Sequence, residues 1–154
     1  MSKAGSTIGH TKPGPGEYNE PGAKAVRPRE ASTLIIVRQE DQPKILMGKR
    51  AASHKFMPNK FVFPGGRLDM IDQRLKVDSD LQQSVLQRLQ KETRKTVSDN
   101  KLRGLALAAI RETFEETGLI IGRKSSNLPA TSHTGWRDYF AHGVTPPLEA
   151  MDFI

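Results

Sequence analysis

RETFEETGLI, residues 111–120, is the stretch on which the reading of this chain turns. On a helix of 3.6 residues per turn, Glu112, Glu115 and Glu116 fall within about 100° of one another, so their carboxylates share one face. Leu107, Ile110 and Phe114 recur at spacings of three and four on the opposite side, which suits burial against a core. Gly118 stands where a left-handed residue would end the helix. The spacing predicts a helix from about Leu102 to Thr117, with Leu119, Ile120 and Ile121 as the next strand. Acidic side chains near a helix C-terminus oppose the helix dipole by about 0.3–1 kcal/mol each, and Glu112 repels Glu116 by roughly a few tenths more. Stability alone would not select this placement. A hard divalent cation such as Mg²⁺ or Mn²⁺ relieves both penalties, because carboxylate oxygens are its preferred ligands. Arg111 is adjacent and within reach of Glu115, where it would hold a carboxylate in position.

Working outward, STLIIVRQ (32–39) is rich in β-branched residues, and PKILMGKR (43–50) follows a polar break at Glu40, Asp41 and Gln42. These read as two neighbouring antiparallel strands. Phe61, Val62 and Phe63 form a third short apolar run that meets Pro64, Gly65 and Gly66, where a switch from strand to loop is expected. Val77, Leu81, Val85 and Leu89 recur every four residues, predicting a helix from 78 to about 95. A short helix is expected around Trp136 to Ala141. Asp69 and Asp72, in the segment after the glycines, suit either support of the loop or a place around a metal.

Composition bounds the rest. The 154 residues suffice for one sizeable core, so one domain is expected over 27–154, preceded by a Gly- and Pro-rich flexible tail over 1–26. No apolar run approaches the roughly 20 residues that a membrane-spanning helix needs, and no apolar stretch follows the first residues as a secretory signal would require. An intracellular location is expected, cytoplasmic in a bacterium. The absence of cysteine excludes disulfides, thiolate metal sites and a cysteine nucleophile from this chain. A formal charge of +7 favours polyanionic partners such as nucleotides, coenzymes or nucleic acid. His10, His54, His133 and His142 lack the spacing that pairs two metal ligands on one helix.

GGRLDMID together with AAIRETFEETGLI resembles the signature of the Nudix hydrolase family, G-x5-E-x7-R-E-U-x-E-E-x-G-U, where U is aliphatic. The second half matches from Arg111 and Glu112 through Glu115, Glu116 and Gly118 to Leu119. The first half departs in two ways. Asp72 follows Gly66 after five intervening residues where the family has Glu, and 38 residues (73–110) separate Asp72 from Arg111 where the family has seven. An interrupted signature of this kind is similar to a branch that includes peroxisomal-type coenzyme A diphosphatases and related bacterial hydrolases, and FVFPGGRLD and LAAIRETFEETG both look like that branch.

The resemblance covers roughly 27–154, with the insertion at about 73–103. It implies an α/β fold, an α/β/α sandwich around a mixed sheet, with further strands beyond residue 154. It also implies a metal-dependent hydrolase that cuts a diphosphate linkage in a nucleoside diphosphate derivative, with coenzyme A or an acyl form of it as the leading substrate. Glu112, Glu115 and Glu116 would be the ligands of Mg²⁺ or Mn²⁺, one of them relaying a proton, with Arg111 beside them in the catalytic set. Gly65, Gly66 and Arg67 would meet the substrate, the Gly65 carbonyl being a further candidate ligand. Arg88, Lys91, Arg94, Lys95, Lys101 and Arg103 in and beside the insertion would attract phosphate or form a solvated face. His54, Phe56, Met57 and Phe61 would line a base or acyl pocket or pack in the core. The partner is a small molecule, and nucleic acid is not expected. A binding module with the same fold and no turnover, taking nucleotide or RNA, is the alternative, and an isomerase of the fold is disfavoured by the missing cysteine.

Overall fold

The helix read from RETFEETG is the longest element of the chain. A computed structural model describes residues 29–53, 58–93 and 95–154. In order come β1 (Ala31–Thr33), β2 (Val37–Arg38), β3 (Lys44–Ile45), β4 (Gly48–Lys49), β5 (Phe61–Val62), β6 (Gly65–Arg67), α1 (Met70–Arg74), α2 (Gln83–Glu92), α3 (Asp99–Thr117), β7 (Arg123–Lys124), α4 (Thr134–Phe140), β8 (Val144–Thr145) and a 3-10 turn, η1 (Leu148–Ala150). The tail expected over 1–26 lies outside the described residues, as do His10 and His54. The chain divides into two units, Met1–Arg27 with Lys49–Val62, and Pro28–Gly48 with Phe63–Ile154. In the described part of the first, the Arg50 amide donates to the Lys60 carbonyl at 3.0 Å, and Asn59, at φ 60°, donates its amide to the Arg50 carbonyl at 3.1 Å.

In the second unit α3 packs against α1, β1, β6, α4 and α2. Leu107 and Ile110 on its inner face are fully buried, as anticipated, Leu102 is buried beside them, and Phe114 packs partly buried at the edge of the same core. Opposite them stand Leu75, Leu81, Val85 and Leu86 from one side and Trp136, Tyr139, Phe140, Val144 and Leu148 from the other. The aromatic group is tightly interlocked: Trp136 stacks on Phe140 with centroids 5.4 Å apart, and Tyr139 meets both edge-on. Gly118 ends α3 at φ 70°, its amide donating to the Phe114 carbonyl.

The two strands read from STLIIVRQ and PKILMGKR do pair antiparallel, as β2 and β3, with Val37 opposite Ile45 and Arg38 opposite Lys44. The long runs are broken, however, and the ladders are two-stranded: β1 leaves the first run to pair with β6. That pairing corrects the loop expected at Gly65 and Gly66. Ala31, Ser32 and Thr33 face Arg67, Gly66 and Gly65 in antiparallel register, extended by amide bonds from Leu34 to Pro64 and from Leu68 to Glu30. Gly65 opens β6 at φ 148°, a conformation open to glycine that places its backbone against Ser32.

Two other expectations are corrected. Residues 78–82 are not helical, because Ser79 instead ties that segment to the C-terminal part of the unit, donating to the Pro146 carbonyl at 2.7 Å and accepting from the Leu148 amide at 3.1 Å. Leu81 and Val85 are nonetheless buried, so their spacing reported the packing face correctly. Leu119–Ile121 is not a strand either. The Leu119 amide donates to Thr117 Oγ1, and the Ile121 carbonyl accepts from the Tyr139 hydroxyl at 2.6 Å. Strand pairing starts two residues later, where β7 pairs antiparallel with β8. Among the described residues no helix is long and apolar enough to cross a membrane.

Candidate functional site

α1 is the element that the sequence reading passed over. Asp69 caps it and Asp72 completes a capping box, its Oδ2 accepting from the Asp69 amide at 2.8 Å. The same Asp72 carboxylate is 1% exposed, and α3 supplies its counter-charge. Arg111 Nε donates to Asp72 Oδ1 at 3.0 Å and Nη2 to Oδ2 at 2.9 Å, a bidentate pair in the interior.

Every N–H of that guanidinium is engaged. Nη2 also donates to the Arg67 carbonyl at 3.0 Å, while Nη1 donates to Glu112 Oε1 and to Glu115 Oε2, both at 3.0 Å. Burial acts to lower the Arg111 pKa. The hydrogen bonds and charge of Asp72, with the charges of Glu115 and Glu112, outweigh it and hold the group above its ordinary value. Arg111 is therefore a permanent cation that orients two of the three glutamates.

The glutamates stand where backbone comes close. Glu112 lies against Gly66 so tightly that a Cβ there would sit 2.3 Å from its Cδ. Glu116 Oε2 accepts from the Gly65 amide at 3.3 Å, and Glu115 Oε1 lies where a Cβ on Gly135 of α4 would be, 1.7 Å away. The structure thus brings Gly65, Gly66, Arg67, Arg111, Glu112, Glu115 and Glu116 together. At Gly65 the contact is made by the amide. The Arg67 side chain is exposed beside the group.

Trp136 completes it. Its indole Nε1 donates to Asp72 Oδ1 at 2.7 Å with the ring wholly buried, and α4 is held at its start by His133, whose Nδ1 accepts from the Trp136 amide at 3.4 Å. His133 Nε2 lies 3.9 Å from Asp69 Oδ2. Sequence reasoning placed Trp136 on a helix and gave it no role. Its signal was indirect, since a buried indole requires an acceptor and Asp72 needs donors. An open cleft of about 690 Å³ adjoins Glu115, bordered by Phe114, His133, Gly135 and Asp138.

Asp72, Glu112, Glu115 and Glu116 set four carboxylates against one guanidinium. An all-oxygen donor set with excess negative charge fits Mg²⁺ or Mn²⁺ in kind. Among the described residues no three such groups converge closely enough to hold an ion as they stand, and Arg111 Nη1 engages one oxygen of Glu112 and one of Glu115. Exposed Glu116 and the remaining oxygens of Glu112 and Glu115 are the donors open to a cation.

The remaining candidates fall apart. Arg88 pairs with Asp152, Lys101 with Glu30, and Arg103 with Asp80 at 3.1 Å, so three of the six basic residues proposed to attract phosphate are already matched; Lys91 and Lys95 are exposed. Arg94, Phe56 and Met57 lie outside the described residues. Phe61 is 66% exposed and does not pack in a core.

A crystal structure titled as a NUDIX hydrolase from Alicyclobacillus acidocaldarius superposes on 82% of the chain with a TM-score of 0.53 and 23% identity. The chain has the fold of a Nudix hydrolase. It is also 30% identical over 92 residues, 60% of its length, to a Caenorhabditis elegans protein named as nudix hydrolase 7. No family model matches the chain. It spans 22% of the length of the nematode protein and 60% of the solved bacterial chain.

Proposed function

We propose that this chain carries the metal-binding helix of a Nudix-type hydrolase that cleaves a diphosphate linkage in a nucleoside diphosphate derivative, within the α/β/α sandwich of that family. The observation that carries the reading is the end of α3, where Glu112 lies against Gly66, Glu116 against the Gly65 amide and Glu115 against Gly135, around a guanidinium fixed by Asp72. Both relatives bear the hydrolase name, which supports the same class of reaction.

Glu112, Glu115 and Glu116 would hold Mg²⁺ or Mn²⁺, which when bound offsets charge on the diphosphate oxygens and acidifies a water for attack on phosphorus. Arg111 is a positioning residue in this reading, since its donors are all engaged within the protein. Gly65 and Gly66 let the β6 backbone lie close against Ser32 and Glu112, and the exposed Arg67 would add a cation for the substrate at the edge. Coenzyme A and acyl-coenzyme A head the candidate substrates on the strength of the interrupted signature.

The test is a screen of diphosphate compounds with Mg²⁺ and with Mn²⁺, scored by the bond cut. Metal-dependent product release that falls about a hundredfold or more in Glu116→Gln supports the reading. An unchanged rate in that variant overturns it. Saturable nucleotide binding with no product at high protein concentration would favour a binding module of the same fold.

A further inference from the structure

The first turn of α4 touches the carboxylate group twice without supplying a ligand to it. Trp136 Nε1 donates to Asp72 Oδ1 at 2.7 Å, and the same oxygen accepts from Arg111 Nε at 3.0 Å, while Arg111 Nη1 reaches Glu112 and Glu115. One residue earlier, the Gly135 backbone lies directly against Glu115 Oε1. His133 fixes the start of the turn through the Trp136 amide. The indole, 0% exposed and stacked on Phe140, has no freedom to follow Asp72 if that carboxylate shifts.

We infer that Trp136 and Gly135 are positioning residues for the metal-binding face: Trp136 sets the orientation of Arg111 through Asp72, and Gly135 leaves the space in which the Glu115 carboxylate turns toward a cation. The inference rests on the metal-binding role proposed for these glutamates. A donor to the outer face of a carboxylate fixes which lone pairs remain for the guanidinium, and the guanidinium in turn fixes one oxygen of each glutamate.

Trp136 is the single tryptophan of the chain, so its N–H is removable without disturbing its shape. Global replacement of tryptophan by benzothienylalanine keeps the fused ring and deletes the donor. Mn²⁺ affinity of the 154-residue protein, read by electron paramagnetic resonance, is expected to fall about tenfold, the low end of what loss of an outer-shell partner costs a metal site. In any diphosphate hydrolysis assay the loss should appear in kcat, with KM little changed. Gly135→Ala is the second variant. Its added methyl meets the side-chain end of Glu115 rather than backbone, so the fold should persist while Mn²⁺ affinity falls. A lowered unfolding temperature with Mn²⁺ affinity unchanged in both variants would make the contacts merely structural and overturn the inference, leaving the hydrolase reading intact. Absence of Mn²⁺ binding in the unaltered protein would overturn both.

Discussion

Arg111 grips Asp72 through two parallel hydrogen bonds of 3.0 and 2.9 Å, across 39 residues of sequence and out of contact with solvent. Removing Asp72 takes away the bidentate partner and leaves the guanidinium only Glu112 and Glu115 as counter-charges, so the cost lies toward the lower end of the about 3–5 kcal/mol that breaking a buried pair incurs. Asp72→Ala is expected to lose stability in that range, measured by equilibrium urea unfolding. A loss below about 1 kcal/mol, the worth of an exposed pair, would contradict the burial of this one.

Gly65 and Gly66 are adjacent and should answer differently to the same change. At Gly65 the added methyl would meet the Ser32 carbonyl at 2.3 Å, a backbone atom, and φ of 148° is strained for any L side chain. Gly65→Ala should destabilise the protein by about 1–3 kcal/mol or more, seen as a lowered Tm. In Gly66→Ala the methyl meets the flexible end of Glu112, so Tm should hold while Mn²⁺ binding weakens. Equal Tm shifts for the two variants would contradict the difference between their surroundings.

Tyr139 supplies a pH dependence. Burial raises its pKa above the ordinary phenolic value, because the ionised ring would lose hydration. The folded state therefore favours the protonated phenol more than the unfolded state does. Its contribution to stability is complete below about pH 10, the unfolded value, and declines as pH rises beyond it. In a Tyr18→Phe background Tyr139 is the sole tyrosine. Its tyrosinate absorbance should emerge only together with loss of the folded signal in circular dichroism. Titration near pH 10 with the fold intact would contradict the burial.

Ser79 joins the segment before α2 to the segment around η1 with one donated and one accepted hydrogen bond. Ser79→Ala leaves the Pro146 carbonyl and the Leu148 amide without that partner. The expected cost is about 1–3 kcal/mol, read from thermal or urea unfolding. Its effect should add to that of Gly65→Ala, since the two residues share no contact partner among the described residues.

Periodic features were legible in the sequence. The inner face of α3, the glycine that ends it and the glutamates on its outer face follow from helical spacing, and Leu81 and Val85 announce a buried face even where the helix starts later than their pattern suggests. Contacts between distant residues were not. Nothing in the spacing of Asp72, Arg111 and Trp136 marks them as one group, because each is locally ordinary and only the packing of α1, α3 and α4 brings them together. The β1–β6 pairing escaped for a related reason: Pro64, Gly65 and Gly66 are turn formers by local preference, and the bonds to Ala31, Ser32 and Thr33 override it.

The β2–β3 pair has a bearing on how this protein behaves at high concentration. Ile35, Val37, Ile45 and Met47 are each between 38% and 54% exposed along this short ribbon. Apolar side chains beside open strand edges favour self-association, whereas a formal charge of +7 makes copies of the chain repel one another. Salt weakens that repulsion without weakening the attraction, since the Debye length shrinks from about 30 Å at 0.01 M to about 8 Å at 0.15 M. The protein should thus remain dispersed in dilute buffer and turn cloudy as ionic strength rises, the reverse of ordinary salting-in, with added anionic nucleotide pushing it the same way by cancelling its charge.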